Sequence, residues 1–121
     1  MNIEVVINNG KKMAIVNSNE VLISDVQSAL DLIATIRYEA DCDYFVMNKQ
    51  VISEDFFKLS TKLAGDILQK FINYQVKVAI VGDFSVYSSK SLKDFIYESN
   101  KGKNVFFLGS NEEALEKLGK I

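Results

Sequence analysis

The sequence predicts a single α/β domain with a mostly parallel central sheet, helices packed on it and an antiparallel hairpin at one edge. Residues 78–81 form a short run rich in β-branched side chains, typical of a strand covered on both faces, and the Gly-Asp pair of Gly82 and Asp83 stops it. Strand-like and helix-like stretches alternate on both sides of this run. Asn9-Gly10 lies between two short apolar stretches, as in a tight hairpin.

Composition limits the size and class of the protein. With 121 residues, of which 48% are hydrophobic and 25% are charged, the chain is long enough for one core, so we expect one domain over residues 1–121. Its apolar runs are short, so we expect no signal peptide, no membrane span and no membrane partner. A lone cysteine, Cys42, allows no internal disulfide and suggests a cytoplasmic location.

Charge and residue types exclude several functions. The formal net charge is -2 and the lysines are scattered among acids, so we expect no nucleic-acid partner. The chain has no histidine, which removes the usual general base, the usual metal ligand and the histidine-containing triads. We therefore expect no metal and no cofactor, and the remaining residues suggest no catalytic constellation.

The first elements are a hairpin and a helix. Residues 3–7 and 12–16 are predicted strands, and Asn-Gly between them favours a type I′ turn. Ser24 and Gln27 have the spacing of a capping box at the start of a helix that runs to about Ala40. Its expected inner face is Val26, Leu30, Ile33 and Arg37, with Ala29 and Ile36 beside it.

A third strand, residues 44–47, leads through a polar loop into Ser53, whose hydroxyl suits a helix cap. The helix predicted to start there is the longest in the chain. Apolar residues at i, i+3 and i+4 spacings make its stripe broad: Phe56, Leu59, Leu63, Ile67 and Phe71, widened by Phe57, Ala64, Leu68 and Ile72. We expect this stripe to be buried against the sheet or against a second subunit.

The last elements follow the strand at residues 78–81. A hydroxyl-rich loop leads into a helix that is capped by Ser88, Ser89 or Ser91, and Gly102 is predicted to end it in the left-handed conformation. Residues 104–108 form the fifth strand. Ser110 and Glu113 then have capping-box spacing, and Ala114, Leu115 and Leu118 form the inner face of a short final helix.

The element order is therefore β-β-α-β-α-β-α-β-α. Because crossovers between parallel strands are right-handed, the last four strands form a mostly parallel sheet with the first strand antiparallel at an edge. An alternative is a flavodoxin-like sheet whose strand order reverses in the middle, which creates a crevice for a ligand. In both arrangements ligands lie beyond the carboxyl ends of the strands.

The order of elements resembles that of the STAS domain, the sulfate-transporter and anti-sigma-factor-antagonist family. The segments that carry this resemblance are residues 44–47, 52–56, 78–81 and 110–115. Antagonists of this family carry an Asp-Ser-Ser-Gly-like motif whose second serine is phosphorylated. This chain has Ser53-Glu54-Asp55-Phe56 there, so Asp55 replaces the serine. Residues 68–74, 82–85 and 91–102 are also similar to a small bacterial family, domain of unknown function 4180.

One candidate site lies at the carboxyl ends of the strands. Hydroxyl groups, backbone N–H groups and lysines there suit a small anionic ligand or a nucleotide. The candidate residues are Asn48, Lys49, Gly82, Asp83, Ser85, Ser88, Ser89, Lys90 and Ser91. Turn chemistry at Asp83 and capping by a serine explain several of the same residues without any ligand. Tyr38, Tyr87 and Tyr97 are expected at the surface, and Cys42, between two acids, is expected to be an unreactive, packed thiol.

A second candidate site is Ser53, Glu54 and Asp55. These residues suit a docking surface for a partner protein, or a permanent charge that imitates a phosphorylated serine. Capping of a helix by a hydroxyl and two acids explains them equally simply. The sequence leaves two functions open: a cytoplasmic STAS-like regulatory or interaction module that binds a protein or a second copy of itself, and a small-ligand binder.

Overall fold

The computed structural model describes the whole chain, residues 1–121. Strands and helices follow each other in the predicted order, with short 3₁₀ turns in the connections. Their bounds are β1 Asn2–Asn8, β2 Lys11–Asn17, α1 Val26–Ala40, β3 Tyr44–Asn48, α2 Leu63–Asn73, β4 Lys77–Val81, α3 Lys90–Lys101, β5 Val105–Leu108 and α4 Asn111–Gly119. None of the helices is both long enough and apolar enough to cross a membrane.

The strands lie in the sheet in the order in which they occur in the chain, β1-β2-β3-β4-β5. β1 and β2 are antiparallel, and the other three pairs are parallel. The predicted fold class is therefore confirmed. The flavodoxin-like alternative is wrong, because the order never reverses and no switch-point crevice forms. The turn of the hairpin is as predicted, since Asn9 and Gly10 both have positive φ, 55° and 79°.

Consecutive strand order also decides where the helices lie. Right-handed crossovers that all move in one direction place α1, α2 and α3 on the same face of the sheet. There they bury the larger core, which includes Phe45, Phe56 and Phe71. α4 packs on the opposite face, where Ala114 and Leu118 cover a smaller core of seven buried residues.

The start of α1 differs from the prediction by one residue. Asp25, and not Ser24, is the N-cap: its carboxylate accepts from the N–H of Ser28, and the Ser28 hydroxyl accepts from the N–H of Asp25. The buried face is correspondingly rotated to Ala29, Leu32, Ile33, Ile36 and Ala40. Leu30 and Arg37 lie at its margin and are half-buried.

The segment after β3 is the largest departure from the prediction. Ser53 caps only a short 3₁₀ turn, Glu54–Phe57, and α2 begins at Leu63. The Thr61 hydroxyl donates to the carbonyls of Asp55 and Lys58, and Lys62 has a φ of 64°, so no continuous helix forms before Leu63. α1, with 15 residues, is therefore the longest helix. Most of the stripe is buried within the domain, which removes the reason to expect a second subunit there.

The ends of the last helices are partly as predicted. Ser89 is the N-cap of α3, one of the three serines proposed. Gly102 ends α3 but has a φ of −82°, so the predicted left-handed conformation is wrong; a Cβ there would lie 3.3 Å from the Ser99 carbonyl oxygen. Ser110 caps α4 as predicted, whereas the Glu113 carboxylate accepts from the N–H of Gly109 rather than of Ser110.

α4 fastens the hairpin to the rest of the molecule. The side-chain amide of Asn8 donates to the Leu115 carbonyl at 2.9 Å, and that of Asn9 donates to the Gly119 carbonyl at 2.8 Å. The Lys11 ammonium donates to the carbonyls of Leu118, Gly119 and Ile121. A cation suits this place because the last carbonyls of a helix carry partial negative charge.

At the other edge of the sheet, Asn100 of α3 bonds the backbone of β5. Its carboxamide oxygen accepts from the Phe107 N–H at 2.7 Å, and its nitrogen donates to the Phe107 carbonyl at 3.1 Å. Because β5 uses the carbonyls of Asn104 and Leu108 to bind β4, the backbone groups of Phe107 point outward. The side chain of Asn100 therefore occupies part of this outer edge.

Candidate functional site

The carboxyl ends of β3 and β4 and the loops that follow them bring most of the candidate residues near one another. A short parallel contact extends the β2–β3 pairing: Leu22 and Ile23 donate to the Val51 carbonyl, and Ser53 donates to the Ile23 carbonyl. This contact fixes the segment that carries Ser53, Glu54 and Asp55. The loop after β4 lies beside it.

A cluster of three polar side chains joins these two loops. The Lys49 ammonium donates to the Tyr87 hydroxyl at 2.9 Å, and that hydroxyl donates to the Glu54 carboxylate, also at 2.9 Å. Lys49 and Glu54 form an ion pair at 3.6 Å. We call Lys49, Glu54 and Tyr87 the polar clasp, because it connects the segment after β3 to the loop after β4.

Aromatic rings lie beneath the clasp. Tyr87 stacks on Phe57 with ring centroids 5.0 Å apart and an interplanar angle of 16°. The ring centroid of Phe84 lies 6.0 Å from that of Phe57 and 5.4 Å from that of Phe107 of β5, which it meets edge-on. Aromatic pairs of this kind stabilise a fold by more than the burial of their apolar surface alone. The rings of two loops and one strand thus fill the space beyond the ends of the strands.

Lys49 and Tyr87 keep their ordinary charge states in the clasp. The hydrogen bond with Tyr87 raises the pKa of Lys49, so the ammonium stays charged. Burial raises the pKa of Tyr87, so the phenol stays protonated. A general acid or base needs a pKa near the working pH, and neither group moves toward it. The arrangement is suited to holding two loops together and not to proton transfer.

Asn48 and Gly82 lie next to the clasp. A Cβ on Gly82 would come within 2.8 Å of the Lys49 Cβ, so the glycine lets the two loops approach closely. Asn48 is the last residue of β3, and its side-chain oxygen is buried without a hydrogen-bond partner. Buried polar atoms without partners are uncommon, and this one belongs to the predicted ligand site.

Asp83 and Ser85 interact with each other. The Asp83 carboxylate accepts from the N–H of Ser85 at 3.0 Å and from its hydroxyl at 2.6 Å, and it caps the short turn Phe84–Val86. The Ser85 hydroxyl and N–H lower the pKa of Asp83. Both residues therefore stabilise the turn. From the sequence, Asp83 suited either this role or contact with a ligand.

The serine-rich stretch is exposed, and its side-chain hydrogen bonds lie within the start of α3. Ser89 caps α3 by accepting from the Leu92 N–H at 3.2 Å. Lys90 pairs with Asp94 at 2.9 Å one turn along the same helix, and this hydrogen bond raises the pKa of Lys90. Ser88 and Ser91 are exposed. The structure therefore does not bring Lys90 together with Lys49.

The predicted docking residues have separate roles. The Ser53 hydroxyl accepts from the Asp55 N–H at 3.3 Å, as a cap does. Glu54 belongs to the polar clasp. Asp55 is exposed and pairs with Lys58 at 3.6 Å. The Asp55 carboxylate is thus accessible at the surface.

The cavities of the molecule lie away from the predicted ligand site, and no side-chain cluster is suited to a metal ion. Five surface cavities are present, and none is lined by any candidate residue of the predicted ligand site. No group of three or more acidic or cysteine side chains has the geometry to hold a metal ion. Cys42 is buried, as predicted, and burial raises the pKa of its thiol.

Tyr87 is the important residue that sequence reasoning missed. It was expected at the surface with Tyr38 and Tyr97, yet it is half-buried at the centre of the clasp, whereas Tyr38 is 91% exposed. Its partners lie 38 and 33 residues away in the chain, so no spacing rule connects them. The one local signal is an aromatic residue in an otherwise polar loop.

Comparison with known proteins identifies the family of this chain. No curated protein and no solved structure matches the chain. A family model described as a domain of unknown function matches residues 8–118, which span every helix, β2 to β5 and the hairpin turn. The chain therefore belongs to the domain of unknown function 4180 family (DUF4180).

Proposed function

We propose that this protein is a non-catalytic interaction module of a regulatory kind, which binds a partner protein in the cytoplasm. The observation that carries the proposal is the filled carboxyl edge of the sheet. Small ligands of parallel α/β proteins lie at that edge, and here the polar clasp and the aromatic rings occupy it. A surface rather than a crevice is then left for binding.

The docking surface that we propose is the segment Ser53, Glu54 and Asp55 with the neighbouring turn at Phe84–Val86. Asp55 and Asp83 offer exposed carboxylates, and Val86 adds an apolar side chain that is 64% exposed. Acidic rims around an exposed apolar side chain suit a partner with a basic, partly apolar surface. The resemblance of the element order to STAS regulators supports the same interpretation.

Site-specific cross-linking in the native host tests this proposal. A photoreactive amino acid at position 55 should give a discrete protein adduct, which mass spectrometry of the cross-linked band identifies. Lys93, exposed on α3, provides the control position. The same adduct from both positions, or none from position 55, would contradict a docking surface here.

A small anionic ligand or nucleotide is the second function that we propose, and the buried oxygen of Asn48 favours it. This oxygen is buried and no protein group donates to it, so a ligand with a hydroxyl or amino group would donate to it after entering between the two loops. Native mass spectrometry of protein from its own host should then show a bound molecule. That molecule should raise the melting temperature of the wild-type protein, and the Asn48→Ala and Asp83→Ala variants should lose this stabilisation. Stabilisation that both variants retain would remove these residues from the site.

A further inference from the structure

The outer edge of β1 is a second interaction surface, on a different side of the molecule from the carboxyl ends of the strands. We propose that two copies of this chain associate through this edge, as a symmetric antiparallel pair that joins their sheets into one. The inference rests on the backbone pattern and side chains of β1, and it is independent of the function proposed above.

The backbone of β1 offers hydrogen-bonding groups on its free side. In the hairpin, Asn8 pairs with Lys11 across a two-residue turn, and Val6, Glu4 and Asn2 follow at alternate positions. Residues that flank such a turn exchange hydrogen bonds with each other, so Ile3, Val5 and Ile7 point their N–H and C=O groups outward. The β1–β2 register is continuous, so no bulge distorts this edge.

One antiparallel register uses all of these groups. If Val5 faces Val5 of the second copy, Ile3 faces Ile7 and Asn2 faces Asn8, so all seven residues of β1 are paired. Shifting the centre to Glu4 would leave Asn8 and Ile7 unpaired and would place two glutamates directly opposite each other. Shifting it to Val6 would leave Asn2 and Ile3 unpaired. The sequence Asn-Ile-Glu-Val-Val-Ile-Asn is nearly the same in both directions, so in this register isoleucine faces isoleucine and asparagine faces asparagine.

The same register covers the apolar side chains that the domain leaves exposed. Ile3, Val5 and Ile7 point to the face that carries α1, α2 and α3, because they pair with Val16, Ala14 and Lys12. The hairpin brings no crossover helix with it, so Val5 is 44% and Ile7 71% exposed. Pairing two copies about Val5 brings all six of these side chains together in one apolar patch.

β1 also lacks the devices by which edge strands avoid such contacts. It contains no proline and no lysine, and its one charged residue is Glu4. In the proposed register Glu4 faces Val6 of the second copy, so the two glutamates are diagonal neighbours at about 7–8 Å. α4 holds the turn of the hairpin in place, so the edge is already ordered before a second copy binds.

Sedimentation of the purified chain tests the association. The wild-type protein should sediment at twice the 13.6 kDa mass of the chain. Ile7→Lys should make it monomeric, because a charge would face Ile3 of the second copy. Tyr97→Lys is the matched control, since Tyr97 is similarly exposed but lies on α3, which packs on β5 at the opposite edge, and this variant should stay dimeric. A wild-type monomer at concentrations up to roughly 1 mM, or a dimer that Ile7→Lys leaves intact, would overturn the proposal.

Cysteine cross-linking tests the register. Position 5 faces itself across the two-fold axis, and the Cα atoms of a hydrogen-bonded antiparallel pair lie about 5.5 Å apart, within the reach of a disulfide. Val5→Cys should therefore give a disulfide-linked dimer under mild oxidation. Glu4→Cys, one residue away, should not at the same oxidation time, and the native Cys42 is buried. Equal or reversed yields at the two positions would contradict the register.

Discussion

The two outer strands of the sheet differ in how their free sides are covered. β5 has four residues, α3 lies against it, and the carboxamide of Asn100 bonds the outward N–H and C=O of Phe107. β1 has seven residues, no crossover helix comes with it, and no hydrogen bond outside the hairpin ladder reaches the backbone of Ile3, Val5 or Ile7. A carboxamide has the same donor and acceptor as a peptide group, so one asparagine can end a sheet. β1 is therefore the longer of the two edges and the one that no side chain covers.

The contributions of the two edges to stability are best compared in the Ile7→Lys variant. In that background a second copy does not contribute to the free energy of unfolding. The first three predictions below compare a change at one edge with a matched change, and all four are measured by urea unfolding followed by circular dichroism.

The largest effect should come from a buried ring of β5. Phe106 is fully buried beneath α4, so Phe106→Ala should lower the free energy of unfolding by about 3–5 kcal/mol. Val5→Ala on the exposed edge should lower it by less than about 1 kcal/mol. Similar losses at both positions would show that β1 is covered to the same degree as β5.

The next effect concerns the asparagine that ends the sheet. Asn100→Ala leaves the N–H and C=O of Phe107 without partners, which should cost about 1–3 kcal/mol. Asn73→Ala removes only an exposed side-chain contact with Gln69 and should cost less than about 0.5 kcal/mol. If the two variants unfold alike, Asn100 does not stabilise the β5 edge.

A smaller effect is expected at the turn of the hairpin. Gly10 has a φ of 79°, so Gly10→Ala should cost about 1 kcal/mol although nothing lies near the added methyl group. Gly65→Ala is the control, because Gly65 lies in α2 with the same open space, and there alanine should stabilise by about 0.5–1 kcal/mol. Changes of the same sign at both glycines would argue against the type I′ turn.

The smallest effect should come from the ion pair beside β1. Lys12 lies 3.9 Å from Asp41, and both side chains are largely exposed. Lys12→Ala should therefore change the free energy of unfolding by less than about 0.5 kcal/mol, within the range of surface ion pairs. A loss above about 1 kcal/mol would mean that charge holds the hairpin, rather than the bonds from Asn8 and Asn9 to α4.

Local chemistry explains which parts of the fold could be predicted from sequence. Asn9-Gly10 and the apolar run at residues 78–81 determine their own conformation, so the hairpin and β4 were found. After β3, the spacing of the apolar residues did not distinguish an α-helix from 3₁₀ turns. Phe56 and Leu59 are three residues apart, and this separation fits both structures. Strand order had no local signal, since a crossover helix does not show on which side the next strand lies.

The candidate site was harder to predict because it depends on distant loops. Lys49 and Asp83 were identified by their place just after strands, and Glu54 was identified as a docking residue beside the predicted cap Ser53. Tyr87, the partner of Lys49 and Glu54, could not be identified, because the contact between the two loops depends on how closely Gly82 lets them approach. Asn100 was overlooked for a similar reason: an asparagine near the end of a helix suggests a cap, not a partner for a strand.

The consecutive order of the strands has a consequence for how the chain folds during synthesis. Each strand pairs with the strand that precedes it in the chain. During synthesis, the neighbour of each new strand has therefore already left the ribosome. The hairpin can form first and β3, β4 and β5 can join it in turn. α4 comes last, and its carbonyls then receive Asn8, Asn9 and Lys11 of the first hairpin. α4, which follows all five strands, thus binds the turn of the hairpin, and the nascent hairpin lacks these bonds until α4 has been made.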